Sequence, residues 1–378
     1  MERKYIIGII ILVLSLFLFT SCNDKTDSLT DASLKNLQTV DKKPKTNANT
    51  PVVFASGLNN PRGLKFGPDG YLYVAEGGEG GTDSTVGQCD QVVPPIGPYK
   101  GGYTSRISKI SMNGIRTTVA DNLPSSQTSA QTGGLTSGVA DIAFINGVLY
   151  GIESGAGCSH GLAGTDNVIF RVNPNGTTTT IANLSEYQRT HPVANPEEDD
   201  FEPDGTWYSM ISLRGDLYAV EPNHGELVKV TLNGSVSRVV DVSASQGHIV
   251  PTALAYHGNF YIGNLNTFPV NPGSSSIFKV TPSGQIKKDE AGFTTVLRIA
   301  FDNRDRMYVL EMSTAAGDPV PFTGKVIRVS PSGAQEEIVT GLFFPTGMAF
   351  GPDGSLYISN KGFGLPPGSG EILKVQFD

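Results

Sequence analysis

The sequence predicts an all-β fold, a six-bladed β-propeller with four-stranded blades, and three observations carry that prediction. A hydrophobic-Tyr pair recurs six times, at Leu72-Tyr73, Leu149-Tyr150, Leu217-Tyr218, Phe260-Tyr261, Met307-Tyr308 and Leu356-Tyr357. Tight turns punctuate the repeats at Asn113-Gly114, Asn175-Gly176, Asn233-Gly234, Ser283-Gly284 and Ser332-Gly333. Such two-residue loops between alternating strands are strong hairpin signals, because both residues tolerate positive φ. Glycine and proline number 45 and 24 of 378 residues, and they fall in recurring turns rather than in one tract. Many short strands require that distribution.

The amino terminus reads as an address. Glu2-Arg3-Lys4 precede an uncharged apolar stretch from Tyr5 to Phe19, followed by Thr20-Ser21-Cys22. A basic segment, an apolar segment and small residues at a cleavage point make a secretory signal. The closing cysteine makes residues 1–22 resemble a bacterial lipoprotein signal, with Cys22 acylated. The apolar stretch is short for a membrane span. Residues 23–50 hold no aromatic side chain and are rich in Asp, Lys, Thr, Ser and Asn, so they are expected to form a disordered tether. As a flexible coil it would reach roughly 30 Å. The expected location is therefore the cell envelope, on its periplasmic or outer surface, with the membrane contacted through the lipid anchor alone.

Residues 51–378 hold the repeats. The first unit, Gly57-Leu58-Asn59-Asn60-Pro61-Arg62-Gly63-Leu64-Lys65-Phe66-Gly67-Pro68-Asp69-Gly70-Tyr71-Leu72-Tyr73, returns near the carboxyl end as residues 341–357. In each unit the Gly-Leu-x-Phe segment supplies the inner strand and the Leu-Tyr-Val segment the second. Ile107–Ile110, Ile169–Val172, Leu227–Val230, Ile277–Val280, Val326–Val329 and Ile372–Val375 supply the third, and the residues after each tight turn the fourth. The last unit stops after its third strand. Val52-Val53-Phe54-Ala55 matches the outer-strand pattern, so the amino-terminal strand is expected to complete the last blade and close the ring.

Laid out this way, residues 52–378 resemble the ScyD/ScyE family of exported propeller proteins. The residues carrying the resemblance are Asn59–Leu64, Asp204–Ser209, Val250–Ala253, Phe268-Pro269-Val270, Pro345-Thr346-Gly347 and Ser359–Gly362. Residues Ala219–His224 depart from it, where the family tends to have a turn richer in Asp and Gly. The family belongs with the NHL-like and gluconolactonase-like propellers, and some members accompany gene clusters for the pigment scytonemin. The resemblance implies the fold and transfers no catalytic residue.

After loss of residues 1–22 the chain has 26 basic and 35 acidic residues, a formal charge of −9. An acidic surface without a Lys/Arg-rich run repels phosphates and argues against nucleic acid as a partner. Four long insertions, Gly77–Thr104, Asn122–Gly138, Ser154–Asn167 and Ser185–Thr206, follow second strands or precede inner strands, so all lie on one face. Binding residues concentrate on loops held by a rigid scaffold, which makes that face the candidate site. At the starts of the inner strands stand Arg62, Asp141, Tyr208, Thr252, Arg298 and Thr346, the candidate ligand contacts. The second strands end in Glu76, Glu153, Glu221, Asn264, Glu311 and Asn360. A polar residue recurring in every blade more often satisfies the backbone of its own turn.

No complete catalytic set can be read. Gly157-Cys158-Ser159-His160-Gly161 fits Gly-x-Ser-x-Gly but lies in a Gly-rich loop, outside the strand–turn–helix that exposes such a serine. The acidic run Glu197–Glu202, beside the single tryptophan Trp207, reads as solvated surface. No histidine spacing suits zinc. Two readings follow. The first is a monomeric, non-catalytic propeller that needs no cofactor and binds a small anionic molecule or a protein partner, because two arginines suit a carboxylate or phosphate. The alternative is a calcium-dependent lactonase or esterase, for which Glu76, Glu153 and Asp141 are the weak ligand candidates, and a weaker third is a lyase-like propeller acting on aromatic metabolites. Cys89 and Cys158 fall in equivalent loops of neighbouring blades and are expected to form a disulfide in an oxidising compartment.

Overall fold

The computed structural model describes residues 49–198 and 201–377. The leader with Cys22, residues 23–48 of the expected tether, and Asp199-Asp200 lie outside the described residues. The described chain forms six antiparallel sheets in sequence order around an axis, a six-bladed propeller. Blade 1 comprises Pro61–Phe66, Leu72–Glu76, Lys100–Ile110 and Arg116–Gln127, and blade 2 comprises Val139–Ile145, Val148–Glu153, Val168–Val172 and Thr178–Asn183. Blades 3, 4 and 5 repeat the arrangement from inner strands Ser209–Leu213, Pro251–His257 and Val296–Phe301. In blade 6, Gly347–Phe350, Leu356–Asn360 and Gly370–Val375 are joined by Val52–Leu58, which pairs antiparallel with Gly370–Val375 and closes the ring.

The hydrophobic-Tyr pair recurs for a reason visible in the packing. Its apolar member is buried between blades, and in blades 1, 5 and 6 the tyrosine hydroxyl also reaches back to an aspartate in the preceding turn. Tyr73 donates to Asp69 at 2.8 Å, Tyr357 to Asp353 at 3.2 Å and Tyr308 to Asp302 at 3.2 Å. Six buried apolar clusters each fill one gap between neighbouring blades, so the core is a ring of wedges rather than a central mass. Ile358 lies in one such wedge with no exposed surface. Truncating a side chain of that kind to alanine costs about 2–5 kcal/mol, because the wedge cannot collapse around the hole.

Two of the insertions expected as loops contain strand at their ends. The third and fourth strands of blade 1 run for 11 and 12 residues, beyond the length of their counterparts, and Thr136–Ser137 adds a fifth strand to that sheet. The extension projects as a hairpin on the loop-rich face. Period-two patterning was hidden there by glycine and serine, as in Gly101-Gly102 and Ser125-Ser126.

Candidate functional site

Strand register sorts the inner-strand candidates into two rings. Leu64, Ile142, Met210, Leu254, Ile299 and Met348 pair with the residue just after the tyrosine of the second strand in their own blades. One residue earlier the ring reads Gly63, Asp141, Ser209, Ala253, Arg298 and Gly347. Two residues earlier it reads Arg62, Ala140, Tyr208, Thr252, Leu297 and Thr346. Asp141 and Arg298 therefore sit one residue deeper along the axis than the four other candidates. Register shifts at the entry to the inner strands of blades 1, 2, 4 and 5 are common to both groups, so depth is set by each residue's own pairing position and not by the presence of a bulge.

The deeper ring is crossed by an ion pair. Arg298 Nη1 donates to Asp141 Oδ2 at 2.6 Å and to Ser209 Oγ at 3.1 Å, joining blade 5 to blades 2 and 3 across the axis. Asp141 also accepts the Ile142 N–H on Oδ1 and the Met210 N–H on Oδ2, at 2.9 and 2.8 Å. Glycine is required at position 63, where a Cβ would lie 1.9 Å from Asp141 Oδ1 and 2.8 Å from Arg298 Nη2. Both ionic side chains are buried, at 3% and 6% exposure. The pair divides the axis into two cavities that share no lining residue.

The upper cavity is a bowl of about 620 Å³ on the loop-rich face. Its wall is mostly apolar, formed by Leu135, Leu265, Phe268, Met312, Phe344 and Phe363, with Trp207, Tyr208 and Leu297 toward the floor. Phe344 and Phe363 stack at 4.5 Å between ring centroids. Arg62 stands in this wall, donating from Nη1 to the Gly362 carbonyl at 2.6 Å and from Nη2 to the Thr136 carbonyl. Burial pulls its pKa down from the usual arginine range, with the Tyr208 phenol acting in the opposite direction. Among the described residues Arg62 forms no ion pair with a carboxylate. Tyr208 donates to the Thr346 carbonyl at 3.1 Å, and Thr346 Oγ1 donates to the Pro61 carbonyl at 2.6 Å. Thr252 lines neither cavity. Its hydroxyl donates to the Val296 carbonyl at 2.5 Å, tying blade 4 to blade 5.

The six candidates thus separate. Arg62, Tyr208 and Thr346 border the bowl, Asp141 and Arg298 line the lower channel, and Thr252 is a strut. The aromatic and aliphatic wall was not anticipated. Apart from Leu135, its members are single residues in non-repeating loops of blades 4 to 6, and the signal that could have found them is the cluster Phe343-Phe344, Phe363 and Phe268 in otherwise polar connections.

The second-strand ends serve mainly the backbone. Glu76 accepts from Asn59 N at 2.7 Å, Glu221 from Thr206 N at 2.6 Å, Glu311 from Thr294 N at 2.6 Å and Asn360 from Phe343 N at 2.9 Å. Glu76 is further held by Arg106 and Ser108. Asn264 accepts from Ser276 N at 2.7 Å. Glu153 differs. Its Oε1 accepts from Ser154 N and Gly155 N, both at 3.1 Å, while Oε2 is buried without a partner among the described residues. Burial pushes its carboxyl up to about 8. It borders a separate cavity with Leu123, Asp166 and Phe170. Glu76, Glu153 and Asp141 do not converge, and no cluster of three or more His, Cys, Asp or Glu suited to a metal occurs among the described residues.

The insertions are tied to one another. A disulfide joins Cys89 to Cys158, with their Cα atoms 6.3 Å apart. Ser159, the serine of the Gly-x-Ser-x-Gly match, is fully buried, and its Oγ donates to Asp204 Oδ2 at 2.7 Å. The acidic run is not solvated throughout. Glu202 is buried, accepting the Tyr99 hydroxyl at 2.6 Å and lying 3.1 Å from His160 Nε2, whose Nδ1 meets Ser126 Oγ at 3.1 Å. Carboxylates enter a protein interior when donors meet them, and the blade 1 hairpin and the Cys158–His160 turn supply those donors.

Among solved structures, the chain is similar to a protein of unknown function from Bacteroides thetaiotaomicron, with 12% identity, 86% of this chain and 72% of that chain covered, and a TM-score of 0.54. It is similar to a putative glucose dehydrogenase from Thermus thermophilus, with 15% identity, 86% and 99% coverage and a TM-score of 0.54. It also resembles the PQQ-bound aldose sugar dehydrogenase of Streptomyces coelicolor, with 13% identity, 86% and 96% coverage and a TM-score of 0.52. No family model matches the chain, and no curated protein matches it. Likeness at these identities is one of fold, and function has to be argued from the site.

Proposed function

We propose that this propeller binds a small molecule with an apolar, ring-bearing body and one anionic group, the body in the bowl and the anion against Arg62. The observation that carries the reading is a bowl walled by aromatic and aliphatic side chains with an arginine that no carboxylate among the described residues neutralises. A concave, mostly apolar cavity with few polar groups is the usual form of a small-molecule site, and a desolvated guanidinium favours an anionic partner. Binding without chemistry fits the chain better than a metal-dependent lactonase, because Asp141 is committed to Arg298, Glu76 to Arg106, and Glu153 opens elsewhere. The Cys89–Cys158 disulfide supports export, and the signal-like leader supports anchoring through Cys22. The motif residues support membership of the ScyD/ScyE family and a monomer in the cell envelope.

The test uses 2-naphthoate and its neutral amide as probes, with affinity measured by calorimetry. Wild-type protein is expected to prefer the acid, and Arg62→Met to weaken acid binding by about 10- to 100-fold while leaving the amide unchanged. Phe363→Ala, which touches no charged group, should weaken both probes. Equal binding of acid and amide by wild type would overturn the anionic part of the reading. Unchanged binding in Phe363→Ala would overturn the bowl.

A further inference from the structure

The lower cavity, of about 530 Å³, runs along the axis below the Asp141–Arg298 pair and past Phe66, Phe301 and Phe350 at the ends of the inner strands. Its lining contains three charged side chains, Lys65, Asp141 and Arg298. Asp141 is saturated by two backbone N–H groups and by Arg298. Arg298 spends one nitrogen on Asp141 and Ser209, and its Nε and Nη2 are buried with no partner among the described residues. Unpaired buried donors are costly, more so when charged. Lys65 follows Gly63 by two residues and so projects from the same face of its strand as the gap that Asp141 and Arg298 fill. Both charges act on it, and among the described residues it has no ion pair. The corresponding positions in the other blades are Ala143, Ile211, Ala255, Ala300 and Ala349, which leaves room beside the lysine. The channel therefore carries two unused donors on a buried guanidinium and, beside them, one lysine in charge excess whose side chain is open to solvent.

We propose that this lower channel holds one compact monovalent anion, a halide or a small carboxylate, between Lys65 and the free nitrogens of Arg298. An anion there pairs the orphaned donors and offsets the surplus charge, two demands that a neutral molecule meets only in part. A single excess charge selects a monoanion over sulfate or phosphate. The site is independent of the bowl, since it uses none of the bowl's lining.

The experiment measures the melting temperature of the purified full-length protein at fixed ionic strength while bromide or formate replaces the bulky anion gluconate. The midpoint is expected to rise saturably with at least one of the two. Lys65→Met should weaken half-saturation by about tenfold, the loss of roughly one charge-assisted contact. Lys65 faces the channel rather than a wedge, so the variant should keep the wild-type midpoint in gluconate. Arg298→Met is avoided because it strands Asp141. Crystals grown in bromide should show an anomalous peak beside Arg298. A rise with only one anion supports the site and names its source. No rise with either, a Lys65→Met response equal to wild type, or, where bromide raises the midpoint, a bromide-grown crystal without a peak beside Arg298 would each overturn the proposal.

Discussion

Blades 1 to 3 and blades 4 to 6 are built on one four-stranded unit, yet each half furnishes its side of the bowl by different physics. In the first half the insertions are bound together by polar and covalent ties: the Cys89–Cys158 bond, the Tyr99–Glu202–His160–Ser126 chain, and Arg189 between Asp166 and Asp204. In the second half the same-face connections are shorter and carry aromatic residues, Phe268, Phe322, Phe343, Phe344 and Phe363, four of them linked by edge-to-face and stacked contacts. Long polar segments cannot order themselves by burial, so they need directional bonds. Short segments can lean on a few rings. A shared scaffold thus gives no shared recipe for what stands on it.

Four perturbations separate the two halves, taken from the largest expected effect to the smallest. Deleting residues 51–56 strips most of the closing strand from blade 6 and exposes the edge of Gly370–Val375. The melting midpoint should fall by about 10 °C or more, because the ring opens and every wedge is weakened. A truncated protein with the wild-type midpoint would show that closure carries no stability.

Replacing both Cys89 and Cys158 by serine should cost about 2–4 kcal/mol through the freed loop. The local pattern is more telling than the total. Hydrogen exchange should quicken in Gly77–Thr104 and Ser154–Asn167 and stay unchanged across blades 4 to 6. Uniform quickening around the ring would erase the distinction drawn between the halves.

Glu153→Gln probes a buried carboxyl in the first half. In the fold it stays protonated up to about 8, whereas in the unfolded chain it ionises near its ordinary value of 4.5. The unfolded state therefore binds fewer protons between those values, and stability falls as pH rises through that window. Glutamine copies the neutral form and removes this contribution. The variant should match wild type near pH 5 and exceed it at pH 8 by on the order of 1–3 kcal/mol. Glu221, pushed up to about 7, and Glu311, pushed up to about 6, leave a residual slope of the same sign. Denaturant titrations at the two pH values check it, and a loss of stability at pH 8 would contradict the burial argument.

Phe363→Ala in the second half should cost only about 1 kcal/mol, the worth of a half-buried ring in a stacked pair. Its effect on probe binding should be much larger than its effect on the midpoint. If stability and binding drop together, the aromatic wall is scaffold rather than site.

The blade count, the closing strand and the tight turns were legible because each repeats, and each has a local cause such as Tyr73 reaching Asp69. The loop-rich face was legible from where the insertions fall. The partition of Arg62, Asp141, Tyr208, Thr252, Arg298 and Thr346 was not, because counting from strand starts assumes a common register. Blades 1, 2, 4 and 5 share the same register shift, yet Arg62 and Thr252 fall in the shallower ring and Asp141 and Arg298 in the deeper, a one-residue difference that only the pairing reveals. Glu202 misled for another reason. Its run of charges looks like surface until the partners, Tyr99 and His160, are brought in from two other insertions.

The bar of Arg298 and Asp141 across the axis has a kinetic consequence. It makes the bowl a dead-end vestibule rather than a passage, so whatever enters through the loops leaves by the same door. Arrival and escape then share one bottleneck, and residence time is governed by the rim, above all by Phe268, which stands 48% exposed at the lip. Changes at the rim should move on-rates and off-rates together with little change in affinity, whereas changes at the floor should act on the off-rate alone.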